Sequence, residues 1–388
     1  MDLAKNNNLY HVDLRAFLEV LLHLDTPTII YNIDQLKSII TKLKSIIDKH
    51  NYFILNFAIK SCYNQHVLNF LSSQDIGCDV ASRRELDLAK KSNFKYITST
   101  APCYSLEDMQ YLKNNNVIID INSIYQLIQY GENFPFTDVG LRLKINPTFM
   151  LKNQEESRFG IKLNDKNLMN IIDKYRLNIV SLHVHNENVT QEQFIDKLKF
   201  LFDMLQTFSN VKVINLGGGL LEIFSNPTIL DETLNKARKL LLKYKNINKD
   251  LKIIMEPGSA IMQFCGYLLT TVVNSGTKKG KYADTYVEVD SSAWSLSPWG
   301  RHESINLNNF STNNIKTDVE IYGNTCYEFD MFSSASENKP LVHRIAPIQV
   351  GDKLLFSSFG AYTATNQRDF NLQKHVKEKV YINNTIIV

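Results

Sequence analysis

The sequence lacks any pairing pattern among its cysteines. Its 388 residues include five cysteines, an odd number, with no C-x-x-C pair and no metal-ligand spacing among them. They stand singly along the chain, at Cys62, Cys78, Cys103, Cys265 and Cys326. This excludes a disulfide framework and a structural zinc site as the basis of the fold. We therefore expect no bound metal and a reducing compartment, the cytoplasm.

The chain also lacks an excess of charge of one sign. Lysine and arginine number 43 against 40 aspartates and glutamates, which leaves a net charge of +3. No apolar run reaches the length of a membrane span, and the run from Phe17 to Leu24 carries Glu19 and His23, which indicates an amphipathic helix and not a secretory leader. We expect neither a nucleic acid nor a membrane as partner.

Glycine is scarce, with 15 residues, and no G-x-G-x-x-G motif follows a first strand, which disfavours a doubly wound sheet, the alternative architecture. What the chain does contain is a repeated unit, an apolar run with a polar tip followed by an amphipathic stretch. The eight runs are Tyr52–Ile59, Ile76–Val80, Tyr96–Thr100, Val117–Ile121, Val139–Ile145, Ile179–Val184, Val211–Leu216 and Lys252–Met255. Eight such units predict an α/β fold, a (β/α)8 TIM barrel.

The pattern changes at about Tyr267, where helical periodicity stops. Short runs between Gly, Asn and Ser turns predict strands there, at Tyr286–Asp290, Asp318–Tyr322, Lys353–Phe356 and Val380–Val388. We predict a barrel domain over residues 28–266 and an all-β domain over residues 267–388. Residues 1–27, which contain a predicted helix, are assigned to the β domain, and the strand Thr28–Tyr31 is a candidate to pack against it.

In a barrel of this kind the active site lies at the carboxyl ends of the strands. Lys60 ends the first strand, where an amine at an apolar rim can form a Schiff base, although a solvated lysine is the simpler interpretation. Gly217, Gly218 and Gly219 end the seventh strand and favour close approach of the backbone to a phosphate over a flexible turn. Glu256 ends the eighth strand, where a carboxylate can pair with a protonated ring nitrogen.

Histidines follow the sixth strand. His183 and His185 are two positions apart and face one side of a strand, so a metal pair is conceivable, but a single imidazole stacked on a planar cofactor explains them better in the absence of other ligands. Arg142 in the fifth strand and Asp79 at the second tip complete a polar ring, or serve as ordinary ion-pair partners.

A lysine, a phosphate cradle, a carboxylate and an imidazole together match the needs of pyridoxal phosphate (PLP). With these residues in order, the chain resembles the fold-type III PLP-dependent decarboxylases, the ornithine, lysine, arginine and diaminopimelate decarboxylase group. The matching stretches run from about residue 28 to residue 362. They are Phe57–Lys60, Gly77–Ser82, Ser157–Gly160, Leu182–Val184, Leu216–Gly219, Glu256–Gly258, Gly323–Cys326 and Phe359–Tyr362.

The resemblance implies a role for each matching residue. Lys60 would carry PLP, His183 would stack on its ring, Glu256 would pair with its ring nitrogen, and the three glycines with Tyr362 would hold its phosphate. Cys326 would be the acid that protonates the carbanion. The family also implies a homodimer whose active sites are shared across the interface, with Cys326 reaching the site of the other subunit.

Departures from the family pattern concern the substrate. His185 stands where relatives have glycine, and Tyr327 and Glu328 follow the cysteine where ornithine-type enzymes grip a distal ammonium. Arg301, followed by His302, suits a carboxylate. Cys326 and Asp330 keep a C-x-x-x-D spacing that is similar to the diaminopimelate branch, although the residues around them do not match it.

These residues predict a PLP-dependent α-decarboxylase of an amino acid or amino-acid conjugate. The favoured substrate is a citryl-diamino acid, such as N-citryl-ornithine, of carboxylate siderophore biosynthesis, and the substrate residues are then His185, Arg301, Tyr327 and Glu328. Alternatives are an ornithine/lysine or diaminopimelate decarboxylase, a racemase on a similar barrel, and a non-catalytic decarboxylase-like regulator.

Overall fold

The computed structural model describes residues 14–144, 157–244, 250–279, 282–309, 316–336 and 338–387. The chain divides into two compact units. The barrel unit comprises residues 41–60 and 68–258, and the β unit comprises residues 1–40, 61–67 and 259–388.

The described chain begins with three elements that precede the barrel. They are helix α1 (Arg15–Leu21), strand β1 (Thr28–Asn32) and helix α2 (Ile33–Ile47). All five residues of β1 are buried. Phe17 and Leu21 of α1 are buried in an apolar cluster together with residues of the β unit, including Tyr267 and Leu355.

Eight parallel strands close into the barrel, so the TIM-barrel prediction is confirmed. They are β2 (Phe53–Ala58), β3 (Gly77–Val80), β4 (Ile97–Ser99), β5 (Ile118–Ile121), β6 (Asp138–Arg142), β7 (Asn178–His183), β8 (Val213–Asn215) and β9 (Lys252–Met255). Strand β2 pairs with both β3 and β9, which closes the sheet. The strands match the eight predicted runs with ends that differ by a few residues, and Ile145 lies outside the described residues.

Helices follow the barrel strands. They are α3 (Gln65–Ser73), α4 (Arg83–Lys91), α5 (Leu106–Asn114), α6 (Ile124–Asn133), α7 (Leu168–Tyr175), α8 (Gln191–Met204), α9 (Leu221–Ser225) and α10 (Pro227–Leu241). Several begin at a side chain that accepts a hydrogen bond from an otherwise unpaired N–H of the first turn. Ser105 with Asp108 and Thr190 with Gln193 form reciprocal capping boxes.

The remaining chain is mostly sheet. Its elements are α11 (Ser259–Met262), β10 (Gly266–Thr277), β11 (Thr285–Val289), α12 (Ala293–Leu296), β12 (Ser304–Asn306), β13 (Thr317–Tyr322), β14 (His343–Ile345), β15 (Lys353–Phe356), β16 (Lys377–Ile382) and β17 (Thr385–Ile387). Together with β1 these strands form one nine-stranded sheet, so the predicted second, β-rich region is confirmed.

Two details of the β unit differ from the sequence-based boundaries. Strand β1 pairs antiparallel with β10 and parallel with β16, so Thr28–Asn32 is a strand of this sheet and not the first part of the barrel region 28–266. The predicted terminal strand Val380–Val388 is a hairpin of β16 and β17, because Asn383 and Asn384 both adopt positive φ and reverse the chain.

Candidate active site

Lys60 lies directly beyond β2, in a single helical turn, and contacts a carboxylate from the next strand. Its Nζ is 3.2 Å from Asp79 Oδ2. The Lys60 side chain is 43% exposed, whereas that of Asp79 is 2% exposed. Burial raises the pKa of Asp79, and the positive charge of Lys60 opposes that rise. The ion pair therefore holds the lysine amine at the mouth of the barrel.

The three glycines after β8 form a stretch of backbone that excludes side chains. Gly217 and Gly219 have φ of +64° and +74°, a region that favours glycine. A Cβ atom on Gly217 would lie 2.5 Å from His185 Nδ1. The amide N–H of Gly217 donates to Asn215 Oδ1 at 2.9 Å. The turn is thus anchored by its own strand and packs closely against His185.

Glu256, at the end of β9, is buried among hydrogen-bond donors. Its Oε1 accepts from Asn215 Nδ2 at 2.6 Å and from Thr98 Oγ1 at 2.8 Å. Burial raises the pKa of Glu256 to about 8, and the negative charge of Asp79 adds to the rise. The buried surroundings therefore favour the protonated form of this carboxyl group.

His183 is enclosed in the barrel, 3% exposed. Its Nδ1 is 2.9 Å from Thr100 Oγ1 and 3.3 Å from Asp120 Oδ2, and its Nε2 is 3.9 Å from Glu256 Oε2. Burial, assisted by the charge of Arg142, lowers its pKa well below the ordinary value. The imidazole is therefore neutral at physiological pH and lies between two carboxyl groups.

His185 is half-buried and lies against the glycines. Its Nδ1 accepts a hydrogen bond from the Gly218 N–H at 2.9 Å. Burial lowers its pKa well below the ordinary value. Because Nδ1 is the acceptor, the ring proton of the neutral imidazole sits on Nε2, which is left as a donor.

Arg142, the last residue of β6, is a buried cation of the barrel. It is 9% exposed, and its guanidinium lies 4.7 Å from the centre of the Phe159 ring. Burial lowers its pKa, while the charges of Asp79, Glu256 and Asp120 oppose that change. Arg142 thus offsets part of the negative charge that these carboxyl groups concentrate in the barrel.

The other predicted site residues belong to the β unit. Cys326 is exposed, and its N–H donates to Asn371 Oδ1 at 2.9 Å. The ring of Tyr327 packs on Trp294, with centroids 4.4 Å apart, and Glu328 is exposed.

Tyr362 and Arg301 also lie in the β unit. Tyr362 has φ of +55°, donates its N–H to Ser61 O at 2.8 Å and stacks on Trp299. Arg301 is exposed, whereas His302 is fully buried, donates Nδ1–H to Ser357 O and has its pKa lowered to about 4 by burial. His302 is therefore a core residue and not a ligand for a substrate.

The barrel unit brings together most of the residues that the sequence singled out for the cofactor. They are Lys60, Asp79, Arg142, His183, Gly217, Gly218, Gly219 and Glu256. Sequence reasoning missed four polar residues inside the barrel, Thr98, Thr100, Asp120 and Asn215. The signal that could have found them is a polar residue within or just beyond an otherwise apolar strand, since a buried strand of a parallel barrel is apolar unless such a side chain has a partner there.

These residues fit PLP. The glycines leave no room for a Cβ atom at Gly217, as a backbone cradle for a phosphate requires. Lys60 offers an amine to the aldehyde, and Glu256 offers a buried carboxyl group to the ring nitrogen. The cofactor would supply an electron sink for the pair of electrons left when carbon dioxide departs. Among the described residues, no group of three or more His, Cys, Asp or Glu side chains is suited to a metal ion.

The comparison with known families agrees with this geometry. Residues 36–263 match the pyridoxal-binding domain of the pyridoxal-dependent decarboxylases. The chain therefore belongs to the pyridoxal-dependent decarboxylases, which are carboxy-lyases that act on amino acids with PLP as cofactor. The sequence-based prediction of the family, the cofactor and the class of enzyme is confirmed.

Two relatives illustrate the similarity along the chain, and both are diaminopimelate decarboxylases. The chain is 25% identical, over 394 aligned positions, to the diaminopimelate decarboxylase of Buchnera aphidicola subsp. Baizongia pistaciae, with 95% of this chain and 91% of the relative covered. It is 24% identical over 349 positions to the diaminopimelate decarboxylase of Methanocaldococcus jannaschii, with 82% and 76% covered.

Solved structures share the fold. The diaminopimelate decarboxylase of M. jannaschii in complex with L-lysine superposes with a TM-score of 0.81 at 22% identity, over 98% of this chain and 93% of that one. The lysine/ornithine decarboxylase of Vibrio vulnificus, complexed with putrescine, has a TM-score of 0.76 at 14% identity, over 96% and 98%. At this identity the likeness shows the fold alone.

Proposed function

We propose that this chain is a diaminopimelate decarboxylase, which removes one carboxylate of a diamino diacid as carbon dioxide and leaves lysine. The observation that carries the proposal is similarity along nearly the whole chain, β unit included, to the diaminopimelate decarboxylase of Buchnera. This similarity favours diaminopimelate, one of the alternative substrates predicted from the sequence, over the citryl-diamino acid. The siderophore branch has no comparable support.

The loop that contains Cys326 gives structural support. Asp330, four residues later, is 1% exposed, and its carboxylate accepts hydrogen bonds from the Trp294 N–H at 2.9 Å and from the Thr325 hydroxyl at 2.6 Å. Gly323 donates its N–H to Asp330 O at 2.7 Å. The C-x-x-x-D spacing therefore has a physical basis, because Asp330 closes the loop in which Cys326 lies.

Arg301, which the citryl-conjugate hypothesis needs as a carboxylate ligand, is exposed and makes no hydrogen bond or ion pair with the described residues. A bidentate contact with a carboxylate requires a guanidinium held in place. The structure thus offers no pre-arranged citrate site at this residue.

Decarboxylation would use the residues described above. Lys60 would hold the cofactor through its amine, and the glycine run would hold the phosphate. His183 would stack on the ring of the cofactor, as the resemblance implies, and His185 packs against the glycine run. We further propose that the Cys326 thiol delivers a proton to the carbon that has lost its carboxylate.

The substrate test is a measurement of carbon dioxide release from meso-diaminopimelate, ornithine, lysine and N-citryl-ornithine by the purified enzyme with PLP. We expect kcat/KM for diaminopimelate to exceed that for each other compound at least about a hundredfold, because a site built for a distal carboxylate is left with unpaired polar groups by an analogue without one. A higher kcat/KM for N-citryl-ornithine would restore the citryl specificity, and one for ornithine or lysine would indicate the polyamine branch.

We propose a homodimer with shared active sites, since Cys326 is exposed beside apolar surface such as Phe329, which is 70% exposed. Mixing Lys60→Ala and Cys326→Ala subunits is expected to restore activity, because one site of each heterodimer then has both residues. No recovery after demonstrated subunit exchange would contradict the shared site.

We also propose a cytoplasmic location, which suits five cysteines that are all free thiols. No helix among the described residues has the length and apolarity needed to cross a membrane.

A further inference from the structure

The guanidinium of Arg368, in the β unit, is held in place by the residues around it. Its Nη1 donates a hydrogen bond to Trp294 O at 3.1 Å, and its Nη2 donates to Ser297 Oγ at 3.0 Å. The guanidinium carbon lies 4.4 Å from the centre of the Trp294 ring, and the backbone N–H of Arg368 donates to Ser295 O at 2.9 Å. Because these contacts fix the side chain, a ligand that binds it causes little further loss of conformational freedom.

The charge of Arg368 is not neutralised by a carboxylate of the described chain. The carboxylate of Asp369, the next residue, is paired with His375, with Oδ1 2.7 Å from Nε2. A guanidinium has more N–H groups than the two hydrogen bonds to Trp294 and Ser297 use. The remaining N–H groups of Arg368 are therefore available to an anion.

A cavity of about 380 Å³ adjoins Arg368 and is lined by groups that suit an anion. Lys374 lines it, and so do Ser291 and Ser295, whose hydroxyl groups are buried and have no hydrogen-bond partner among the described residues. Asp290, an acidic residue of the lining, already accepts a hydrogen bond on each of its carboxylate oxygens. The lining thus combines two cations with unpaired hydroxyl donors, which favours a carboxylate as ligand.

The loop that contains Cys326 packs against the same part of the β unit. The N–H of Cys326 donates to Asn371 Oδ1 at 2.9 Å, and Asn371 lies three residues after Arg368. The ring of Tyr327 packs on Trp294, with centroids 4.4 Å apart, and Arg368 contacts that same tryptophan. Arg368 and the Cys326 loop therefore belong to one packed cluster.

We propose that Arg368 binds the distal carboxylate of the substrate, the one that is not lost, through two parallel N–H···O hydrogen bonds. This inference rests on the proposed diaminopimelate specificity and on Cys326 as the proton donor. The carbon that receives the proton lies against the thiol, so the rest of the substrate extends along the cluster that contains Arg368. Ornithine and lysine lose their only carboxylate in decarboxylation and have none to offer to this residue.

Arg368 differs in its support from Arg301, the arginine that the sequence favoured as a carboxylate ligand. Arg301 is exposed and makes no hydrogen bond with the described residues, so a ligand must order its side chain at a cost in entropy. Sequence patterns gave no reason to prefer Arg368, because its fixed position comes from Trp294 and Ser297, which lie about seventy residues earlier in the chain.

Inhibition by the product tests the contact. L-lysine, the product from diaminopimelate, keeps the distal carboxylate, whereas cadaverine has the same chain without a carboxylate. We expect Arg368→Gln to raise the inhibition constant of L-lysine at least about tenfold and that of cadaverine less than about twofold, measured against the compound of the substrate panel that is turned over best. Arg344→Gln removes an exposed arginine of β14, is the matched control and should leave both constants unchanged.

Two further variants separate binding from folding. Arg368→Lys keeps the charge but not the fork of N–H groups, so the inhibition constant of L-lysine should stay well above that of the unmodified enzyme. Ser297→Ala removes one hydrogen bond that fixes the guanidinium and should raise the same constant by a smaller factor. If Arg368→Gln does not fold, Ser297→Ala decides, since the absence of a selective rise for L-lysine in that variant would refute the contact.

Two results would overturn the role of Arg368. One is an unchanged inhibition constant of L-lysine in Arg368→Gln, and the other is an equal rise for L-lysine and cadaverine, which would indicate only disturbed packing of Trp294. Failure of the proposed function is a separate result. A preference of the unmodified enzyme for ornithine would refute the diaminopimelate specificity, while the two inhibition constants still report whether Arg368 binds a carboxylate.

Discussion

His185 Nδ1 accepts a hydrogen bond from the backbone N–H of Gly218 at 2.9 Å, and the imidazole occupies the space that a side chain on Gly217 would need. The segment after β7 and the glycine run after β8 are therefore fitted to each other. A change in either one alters the other.

Gly217→Ala is expected to weaken PLP binding at least about tenfold, because alanine at φ +64° is strained by about 1–3 kcal/mol and its methyl group displaces His185. Gly351→Ala is the matched control, with φ of +93° and no heavy atom within 4 Å of the added Cβ atom. It should lose stability without loss of affinity. The measurements are the Kd for PLP and the Tm of each variant, and equal affinities for the two would contradict the cradle.

Lys60→Ala is expected to abolish turnover and covalent attachment of the cofactor while the cofactor-free protein still folds. The side chain is 43% exposed, so its removal creates no core cavity. Borohydride reduction followed by peptide mass spectrometry should find the cofactor on Lys60 in the unmodified enzyme and in the exposed control Lys91→Ala. Cofactor retained covalently by Lys60→Ala would refute the assignment.

The carboxyl group of Glu256 should contribute a loss of stability to the cofactor-free protein as the pH rises from about 5 to 8. The pKa of Glu256 is about 8 in the folded chain and about 4.3 when unfolded. Its stabilising contribution is therefore complete below pH 4.3 and is lost as the pH rises through 8, with a slope of up to about 1.4 kcal/mol per pH unit. Glu256→Gln should remove this contribution, so the Tm of that variant should fall less across the same range. An identical pH dependence of the two Tm values would show that Glu256 is ionised in the folded protein.

Lys197→Met should stabilise the protein by about 1–3 kcal/mol, since it removes a buried amine that has no hydrogen-bond partner among the described residues. Burial lowers the pKa of Lys197 to about 7, so the buried amine destabilises the fold most below pH 7, where it is charged in both the folded and the unfolded chain, and less as the pH rises above 7. The gain in Tm should be larger at pH 6 than at pH 9. Lys199→Met, exposed on the same helix, should change little. A loss of stability in Lys197→Met would mean that the amine has a partner in solution.

The local sequence pattern determines the barrel fold and much of the grouping of the site residues. Eight apolar runs with polar tips specify the barrel, because parallel strands are buried on both faces and need continuous apolar sequence. Lys60, the glycine run and Glu256 each end a strand, and strand ends of a barrel meet at one rim, so their grouping follows from sequence order alone.

Only the tertiary structure decided the rest. Strand β1 joins the sheet of the β unit through pairing with β10 and β16, and sequence patterns do not encode a partner more than two hundred residues away. The sequence does not distinguish His183 from His185, since both lie at the end of the same strand. In the structure His183 is enclosed between Asp120 and Glu256, whereas His185 faces the glycines. Thr100 and Asp120 contact His183 only because the barrel is closed. Closure brings side chains from separate strands within hydrogen-bond distance in a space that excludes water.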